Sequence, residues 1–94
     1  MLPGVVRATL AVSDKLMIVE FRLTAGAEVP MHQHPHEQCG TVRKGRMLFT
    51  VGDEETLLGP GDSYSIPGGV EHGAKVLEDS LVIDVFTPPR EDYL

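Results

Sequence analysis

The sequence predicts an all-β fold, and two observations lead to this prediction: frequent turn-forming residues and short apolar runs between them. Ten glycines and seven prolines interrupt the 94-residue chain at short intervals. The segments between them are rich in Val, Ile, Leu, Phe and Thr, as expected for strands separated by turns. No window of about 11 residues shows the sustained 3.6-residue apolar period of a helix. Closely spaced turns favour a sandwich or a barrel.

Three segments show the clearest strand pattern, namely residues 15–24, 46–52 and 81–86. In the first, Val19, Phe21 and Leu23 fall on one face. The charged residues between them, Glu20 and Arg22, fall on the opposite face, because side chains alternate along a strand. Each segment is therefore predicted to turn one apolar face toward the interior.

Glycine-containing turns separate these strands. The RKGR stretch at residues 43–46 and the Gly52-Asp53 pair each predict a hairpin. Further breaks are predicted at residues 59–62 and 67–72, which are rich in glycine and proline. The C-terminal stretch TPPREDYL is expected to pack loosely or fray. The chain is short enough that residues 1–94 are predicted to form a single domain.

Charge and composition argue against several classes of function. The net charge is −6 and no basic stripe is visible, which argues against nucleic-acid binding. No segment approaches the ~18 apolar residues of a membrane span, and the N-terminus lacks a signal-peptide pattern, so we expect a cytoplasmic protein. The single cysteine, Cys39, can form neither an intramolecular disulfide nor a thiolate zinc site by itself, and we expect it to be buried or half-buried.

Three of the four histidines lie in the stretch MHQHPHEQ, residues 31–38. His32 and His34 are two positions apart, so on a strand their imidazoles point the same way and can meet one metal ion at about 2.0–2.1 Å. Gln38 has the same parity and can add a carbonyl oxygen. A fourth ligand must come from elsewhere, and His72 in the PGGVEH stretch is the remaining histidine. A surface cluster without a metal is the alternative interpretation of the His32–His34 pair.

Two neighbouring residues are interpreted differently. His36 shares the parity of the pair, and it either lines the mouth of a pocket or supports the site from the surface. Glu37 has the opposite parity, which favours Gln38 as the ligand.

The spacing of these residues resembles the two sequence motifs of the cupin superfamily. The first motif is matched by Gly26, His32, His34, Gln38 and Gly45, and the second by Gly61, Pro67, Gly69 and His72. The resemblance implies a double-stranded β-helix, the jelly-roll barrel of RmlC-like cupins, with a divalent transition metal inside the barrel mouth. The ligands that it implies are His32, His34, Gln38 and His72.

Two positions depart from the usual cupin pattern. Gln38 stands in place of the usual glutamate, and Val76 stands where the second motif often has asparagine. A neutral amide beside three neutral imidazoles leaves the charge of a dication uncompensated, which favours an anionic ligand. This permissive donor set leaves Zn, Ni, Mn and Fe open as the metal.

A carboxylate, an aromatic ring and a guanidinium form a second group near the C-terminus. Asp84 shares the face of Val82 and Phe86 in an apolar strand, and such a carboxylate is costly to bury unless it is paired, hydrated or functional. Arg90 follows a Pro-Pro turn and is suited to bind a carboxylate through two hydrogen bonds. The alternatives are a structural ion pair between Asp84 and Arg90, or an Arg90 that lies in solvent.

The pattern Asp84-x-Phe86-x-x-x-Arg90, beside PHEQ, resembles the small cupins of pectin and alginate breakdown that linearise unsaturated uronates. The resemblance implies that these three residues are catalytic and that the substrate is a small anionic sugar acid, a 4,5-unsaturated monouronate. Arg90 then binds the substrate carboxylate, and Asp84 transfers a proton as the ring opens. The protein would be a metal-dependent isomerase of pectin degradation.

Two other functions are kept open. A metal-dependent dioxygenase of a small molecule suits three histidines but gives Arg90 no particular role. A non-catalytic module that binds a metal or a small ligand is the third candidate. In every case we expect a homodimer, because a small barrel gains from covering an open sheet edge.

Overall fold

The computed structural model describes residues 2–94, which form two antiparallel β-sheets, so the all-β prediction is confirmed. The strands are β1 Val5–Val12, β2 Met17–Leu23, β3 Glu28–His32, β4 Glu37–Lys44, β5 Met47–Val51, β6 Glu54–Leu58, β7 Ser63–Ile66, β8 His72–Val76 and β9 Ser80–Thr87. A short 3-10 helix, η1, covers Glu91–Tyr93. The order is β1-β2-β9-β4-β7 in the five-stranded sheet and β3-β8-β5-β6 in the four-stranded sheet.

The core lies between the two sheets. Its larger cluster combines residues of the five-stranded sheet, such as Val42 and Val82, with residues of the four-stranded sheet, such as Met47 and Phe49. Burial of these apolar faces is the main favourable contribution to folding. Along β9, buried residues alternate with half-exposed ones, and Asp84 lies on the buried face as the sequence predicts.

Of the two predicted hairpins, the one at Gly52-Asp53 is confirmed and the one at residues 43–46 is wrong. Gly45 lies between β4 and β5, and Gly52 lies between β5 and β6. Both have positive φ, +91° and +59°, a conformation that glycine adopts without a steric penalty. The Gly52 turn closes a hairpin, because β5 and β6 pair with each other. The Gly45 turn does not, because β4 pairs with β7 and β9 in the five-stranded sheet and β5 pairs with β6 and β8 in the four-stranded sheet. A glycine turn marks where the chain reverses, but it does not decide whether the flanking strands pair.

The C-terminal segment is more ordered than the sequence suggests, and the expectation of loose packing is wrong. The ring of Tyr93 packs against Phe86 and Phe21, with centroids 5.8 and 6.0 Å away. Backbone carbonyls of the segment accept hydrogen bonds from two side chains of β1, Arg7 and Thr9. The segment therefore closes over one end of the barrel.

Cys39 is exposed, so the expectation that it is buried or half-buried is wrong; it lies on the outward face of β4, next to the buried Gln38. Among residues 2–94, no helix is long and apolar enough to cross a membrane.

Strand β1 forms one edge of the five-stranded sheet. Its residues Val6 and Leu10 are 61% and 54% exposed. An edge strand of this kind presents unpaired backbone groups, which is the physical basis on which a homodimer was expected. The homodimer stays a prediction.

Two adjacent leucines of β6 provide a test of the core. Leu58 is 6% exposed and packs in the core, whereas Leu57 is 51% exposed. We expect Leu58→Ala to lower the free energy of unfolding by about 2–5 kcal/mol, because it leaves a cavity. The matched variant Leu57→Ala should change it by no more than about 0.5 kcal/mol. Urea unfolding measures both, and equal losses would show that the two faces of β6 are assigned wrongly.

Candidate metal and substrate site

Three histidines from two parts of the sequence form a cluster at one end of the barrel. His32, the last residue of β3, lies directly opposite His72, the first residue of β8, in the strand register. Their ring centroids are 4.2 Å apart, and His34 lies 4.8 Å from His72. One ring nitrogen from each histidine can be chosen so that all three lie within 4.8 Å of one another. These three side chains can therefore hold a metal ion.

The ring orientation of each histidine is set by its own backbone. In each case Nδ1 lies within hydrogen-bond distance of a carbonyl oxygen two residues away. The distances are 2.9 Å from His32 to Pro30, 2.9 Å from His72 to Val70 and 3.0 Å from His34 to His36. A carbonyl can only accept, so Nδ1 carries the proton and the lone pair resides on Nε2. This is the tautomer in which Nε2 can bind a metal.

His34 reaches the cluster by a different route from the one the sequence suggests. The parity argument places His32 and His34 on one continuous strand, and this is wrong because β3 ends at His32 and β4 begins at Glu37. His34 lies in the connection between them. The amide of Gly69 donates to the carbonyl of His34 at 2.8 Å, which anchors the connection to the PGGVEH stretch.

Gln38 lies on β4, is 7% exposed and faces the cluster. Its amide Nε2 donates to Oδ2 of Asp84 at 2.7 Å, so its Oε1 is turned toward Nε2 of His34, 3.1 Å away. Because His34 carries its proton on Nδ1, both facing atoms are acceptors. A cation shared between them would remove their repulsion. The donor set therefore fits a divalent metal ion.

Burial favours the neutral form of two of the imidazoles, which is the form that binds a metal. Desolvation lowers the pKa of both His34 and His72. The positive charge of Arg90 acts in the same direction at both histidines.

Asp84 is 3% exposed, and it is satisfied by two donors of the same sheet, one on the adjacent β4 and one on β7, the next strand beyond β4. Its Oδ2 accepts from Gln38, and its Oδ1 accepts from the hydroxyl of Tyr64. Burial raises the pKa of Asp84 to about 6, and the two hydrogen bonds oppose that shift. Tyr64 was missed in the sequence, where the SYSI stretch has no feature that distinguishes it from an ordinary core tyrosine.

Arg90 lies at the mouth of the site, with a side chain that is 16% exposed. Its ion-pair partner among residues 2–94 is Asp92, at 2.9 Å, so neither a structural pair with Asp84 nor a solvent-exposed Arg90 is found. The guanidinium lies 4.1 Å from the ring centroid of Tyr93 and 5.5 Å from that of Phe86. The bond to Asp92 uses Nε and one hydrogen of Nη2, which leaves donors on Nη1 for a further acceptor.

These groups surround one cavity of about 420 Å³. Six of the seven predicted site residues line it, namely His32, Gln38, His72, Asp84, Phe86 and Arg90. The seventh, His34, lies behind them with its ring 5.9 Å from Phe86. The rest of the wall is largely apolar and includes Phe21, Leu23, Met47, Phe49 and Val82. A small ligand with one anionic group would therefore be close to the guanidinium of Arg90, the carboxylate of Asp84 and the histidine cluster within one cavity.

His36 contributes through its backbone. Its carbonyl oxygen accepts from Nδ1 of His34 at 3.0 Å, while its own ring lies 5.6 Å from that of His34. Its buried Nδ1 has no hydrogen-bond partner among residues 2–94. Of the two interpretations, the structure agrees with a supporting residue rather than one that lines the pocket, since His36 is not among the residues of its wall.

The fold and the histidine cluster define the class of protein. The profile of the cupin domain family matches residues 19–86, and the chain belongs to that family. The prediction of a cupin jelly-roll barrel is thereby confirmed, including its two packed antiparallel sheets.

Within the family, the chain is similar to proteins of pectin degradation. It is 34% identical over 93 residues to the pectin degradation protein KdgF of Dickeya dadantii (strain 3937), covering 97% of this chain and 84% of that protein. The structure of KdgF from Halomonas sp. matches with a TM-score of 0.94 at 41% identity, covering 98% and 86% of the two chains. An RmlC-like cupin from Shewanella frigidimarina NCIMB 400 matches with a TM-score of 0.94 at 35% identity, covering 97% and 82%.

The histidine cluster predicts metal binding that depends on His72. We expect His72→Ala to weaken binding of a divalent ion by more than about 100-fold, because losing a ligand should exceed the 10–100-fold cost of losing a supporting contact. Calorimetric titration of metal-free protein with zinc measures this. His36→Ala is the matched control, since the ring of His36 lies outside the cluster. Equal affinities for the two variants would show that the cluster does not bind the ion.

Proposed function

We propose that this cupin is a metal-dependent isomerase that linearises 4,5-unsaturated monouronates during pectin or alginate breakdown. The observation that carries the proposal is the convergence of the histidine cluster, Asp84 and Arg90 on one cavity of about 420 Å³. The similarity to pectin degradation proteins over nearly the whole chain supports the same substrate class.

The residues proposed to hold the metal are His32, His34, Gln38 and His72. When bound, a divalent ion supplies Lewis acidity and a positive charge toward substrate oxygens. Gln38 contributes a neutral amide oxygen, and its amide nitrogen is hydrogen-bonded to the carboxylate of Asp84. A glutamate at position 38 would bring its negative charge into the ligand set. Here the negative charge lies on Asp84, one hydrogen bond away from the ligand Gln38.

Arg90 is proposed to bind the carboxylate of the substrate. Its guanidinium is fixed by the ion pair with Asp92 and by stacking on Tyr93, so little conformational entropy is lost when a ligand binds. Donors that Asp92 does not use can pair with the two oxygens of a carboxylate. The ring of Phe86, 1% exposed and next to both Arg90 and His34, provides an apolar wall beside the sugar ring.

Asp84 is proposed to transfer the proton of the reaction. The anomeric hydroxyl loses its proton, the carbonyl forms, and the bond from the anomeric carbon to the ring oxygen breaks. The enolate released on the former ring oxygen takes a proton on the former vinyl carbon and becomes a ketone, so the product is an isomer of the substrate. A single carboxylate that accepts the first proton and returns one to carbon satisfies this balance, and no redox step is needed.

A proton NMR time course tests the proposal. Unsaturated monouronate is followed with metal-loaded protein, with metal-loaded Asp84→Ala and with no protein. We expect the wild-type protein to speed the loss of the vinyl proton signal, and Asp84→Ala to reduce that acceleration by at least about 100-fold, as for loss of a general acid–base group.

Metal content measured on the same samples separates the possible failures. If wild-type protein with a full complement of metal matches the protein-free rate, uronate linearisation is ruled out. Oxygen uptake then tests the dioxygenase alternative. If Asp84→Ala retains the wild-type rate, Asp84 has no part in the mechanism.

Substrate binding is expected to depend on Arg90. Arg90→Gln should raise KM by about 10- to 100-fold, because a charge-assisted hydrogen bond contributes roughly 1.5–3 kcal/mol. Steady-state kinetics over a range of uronate concentrations measure the change. Arg43→Gln, the same substitution at an exposed position near the end of β4, is the matched control and should leave KM unchanged. A KM unaffected by Arg90→Gln would place the substrate carboxylate elsewhere.

A further inference from the structure

We propose that Tyr64 is a positioning residue for Asp84, and that Gly40 provides the space in which the two side chains meet. The inference rests on the proposed function, in which Asp84 transfers the proton. Tyr64 lies between Gly61 and Pro67, at a position that the second histidine motif does not specify, and outside the C-terminal pattern of Asp84, Phe86 and Arg90.

The strand register brings these residues together. In the five-stranded sheet, Gly40 of β4 is paired with Tyr64 of β7 on one side and with Asp84 of β9 on the other. The three residues therefore lie in one row across three adjacent strands, with glycine in the middle. The side chains of Tyr64 and Asp84 meet above the middle strand, where the tyrosine hydroxyl donates to Oδ1 of Asp84.

Only glycine leaves room for this contact. A Cβ atom added at position 40 would lie 1.8 Å from Oδ1 of Asp84 and 2.5 Å from the hydroxyl oxygen of Tyr64. Both distances are far below van der Waals contact. Any side chain at this position would therefore occupy the place where the hydrogen bond forms. Gly40 does not have positive φ, so its role here is steric rather than conformational.

Tyr64 acts as a fixed donor. Its ring packs against Phe49 with centroids 4.4 Å apart, which limits its movement. Burial and the nearby charge of Asp84 raise the pKa of the Tyr64 hydroxyl, so it keeps its proton. The carboxylate therefore has one donor on each oxygen, Gln38 on Oδ2 and Tyr64 on Oδ1. Two donors on two oxygens fix the plane of the carboxylate, and each oxygen keeps a second lone pair for the substrate.

The contact should affect turnover more than substrate binding. Arg90 and the histidine cluster, which are proposed to bind the substrate, make no hydrogen bond to Tyr64 among residues 2–94. Without the hydroxyl, Asp84 keeps a single donor and can rotate away from the reacting atoms. A displacement of about 1 Å at a reacting group can cost about 100-fold in rate.

The test is Tyr64→Phe in metal-loaded protein, assayed with unsaturated monouronate. We expect kcat to fall by about 10- to 100-fold while KM stays within about twofold. Ser65→Ala is the matched control, because it removes a hydroxyl from the next residue of β7, which is exposed. It should leave both constants unchanged. Metal content and the thermal midpoint of each variant show whether the site and the fold are intact.

A second variant tests the role of the space at position 40. Gly40→Ala keeps the hydroxyl of Tyr64 but places a methyl group between it and Asp84. We expect its kcat to fall at least as far as that of Tyr64→Phe, and the double variant to be no slower than Gly40→Ala alone, because both substitutions break the same contact. Losses that multiply in the double variant would show that the two residues act independently and would overturn the inference.

The outcomes for the inference and for the proposed function are distinct. If wild-type protein accelerates the reaction and Tyr64→Phe has the kcat of Ser65→Ala, the positioning role is wrong and linearisation stands. If Tyr64→Phe raises KM as much as it lowers kcat, the residue contributes to binding and the inference is overturned. If wild-type protein does not exceed the protein-free rate, linearisation fails and the role of Tyr64 in it fails as well.

Discussion

The hydrogen bond between the amide of Gln38 and the carboxylate of Asp84 is the interaction on which the arrangement of the site depends. The two atoms are 2.7 Å apart, and both side chains are almost fully buried. Because the amide nitrogen faces Asp84, the amide oxygen must face His34. One bond therefore sets the direction of a proposed metal ligand and satisfies half of a buried carboxylate.

This bond also gives a physical reason for the departure from the usual cupin pattern. A glutamate at position 38 would bring a second carboxylate to within hydrogen-bond distance of Asp84, and like charges at that distance repel strongly. A glutamine has nearly the same shape and offers a donor instead. Gln38 and Asp84 therefore act as a pair. The carboxylate of Asp84 keeps a negative charge near the histidine cluster, but it is not one of the proposed metal ligands.

The two ends of the chain organise the opposite side of the cavity. Two guanidinium groups, those of Arg7 on β1 and of Arg90, each lie 4.1 Å from the ring centroid of Tyr93. Asp92 adds an ion pair to Arg90, and its carbonyl accepts from Arg7. These contacts fix the side chain of Arg90, which would otherwise be mobile at the mouth of the barrel. The C-terminal segment therefore has a direct bearing on the proposed substrate specificity.

Much of the fold could be predicted from local sequence, because side chains alternate along a strand whatever that strand pairs with. The apolar alternation of β2, the inward direction of Asp84 on β9 and the positive φ of Gly45 all follow from short stretches of sequence. The position of His34 was inferred by the wrong route, because the alternation rule was applied beyond the end of β3. The rule itself holds only while the backbone stays extended.

By itself, the sequence determined which residues face inward, where turns interrupt the strands, and that histidines, an acid and an arginine are available for chemistry. It did so because these properties depend on neighbours two to four positions away. The tertiary structure decided the pairing of His32 with His72 and the row formed by Tyr64, Gly40 and Asp84. Strand register is set by contacts between distant segments, and a shift of one residue would turn every side chain to the other face.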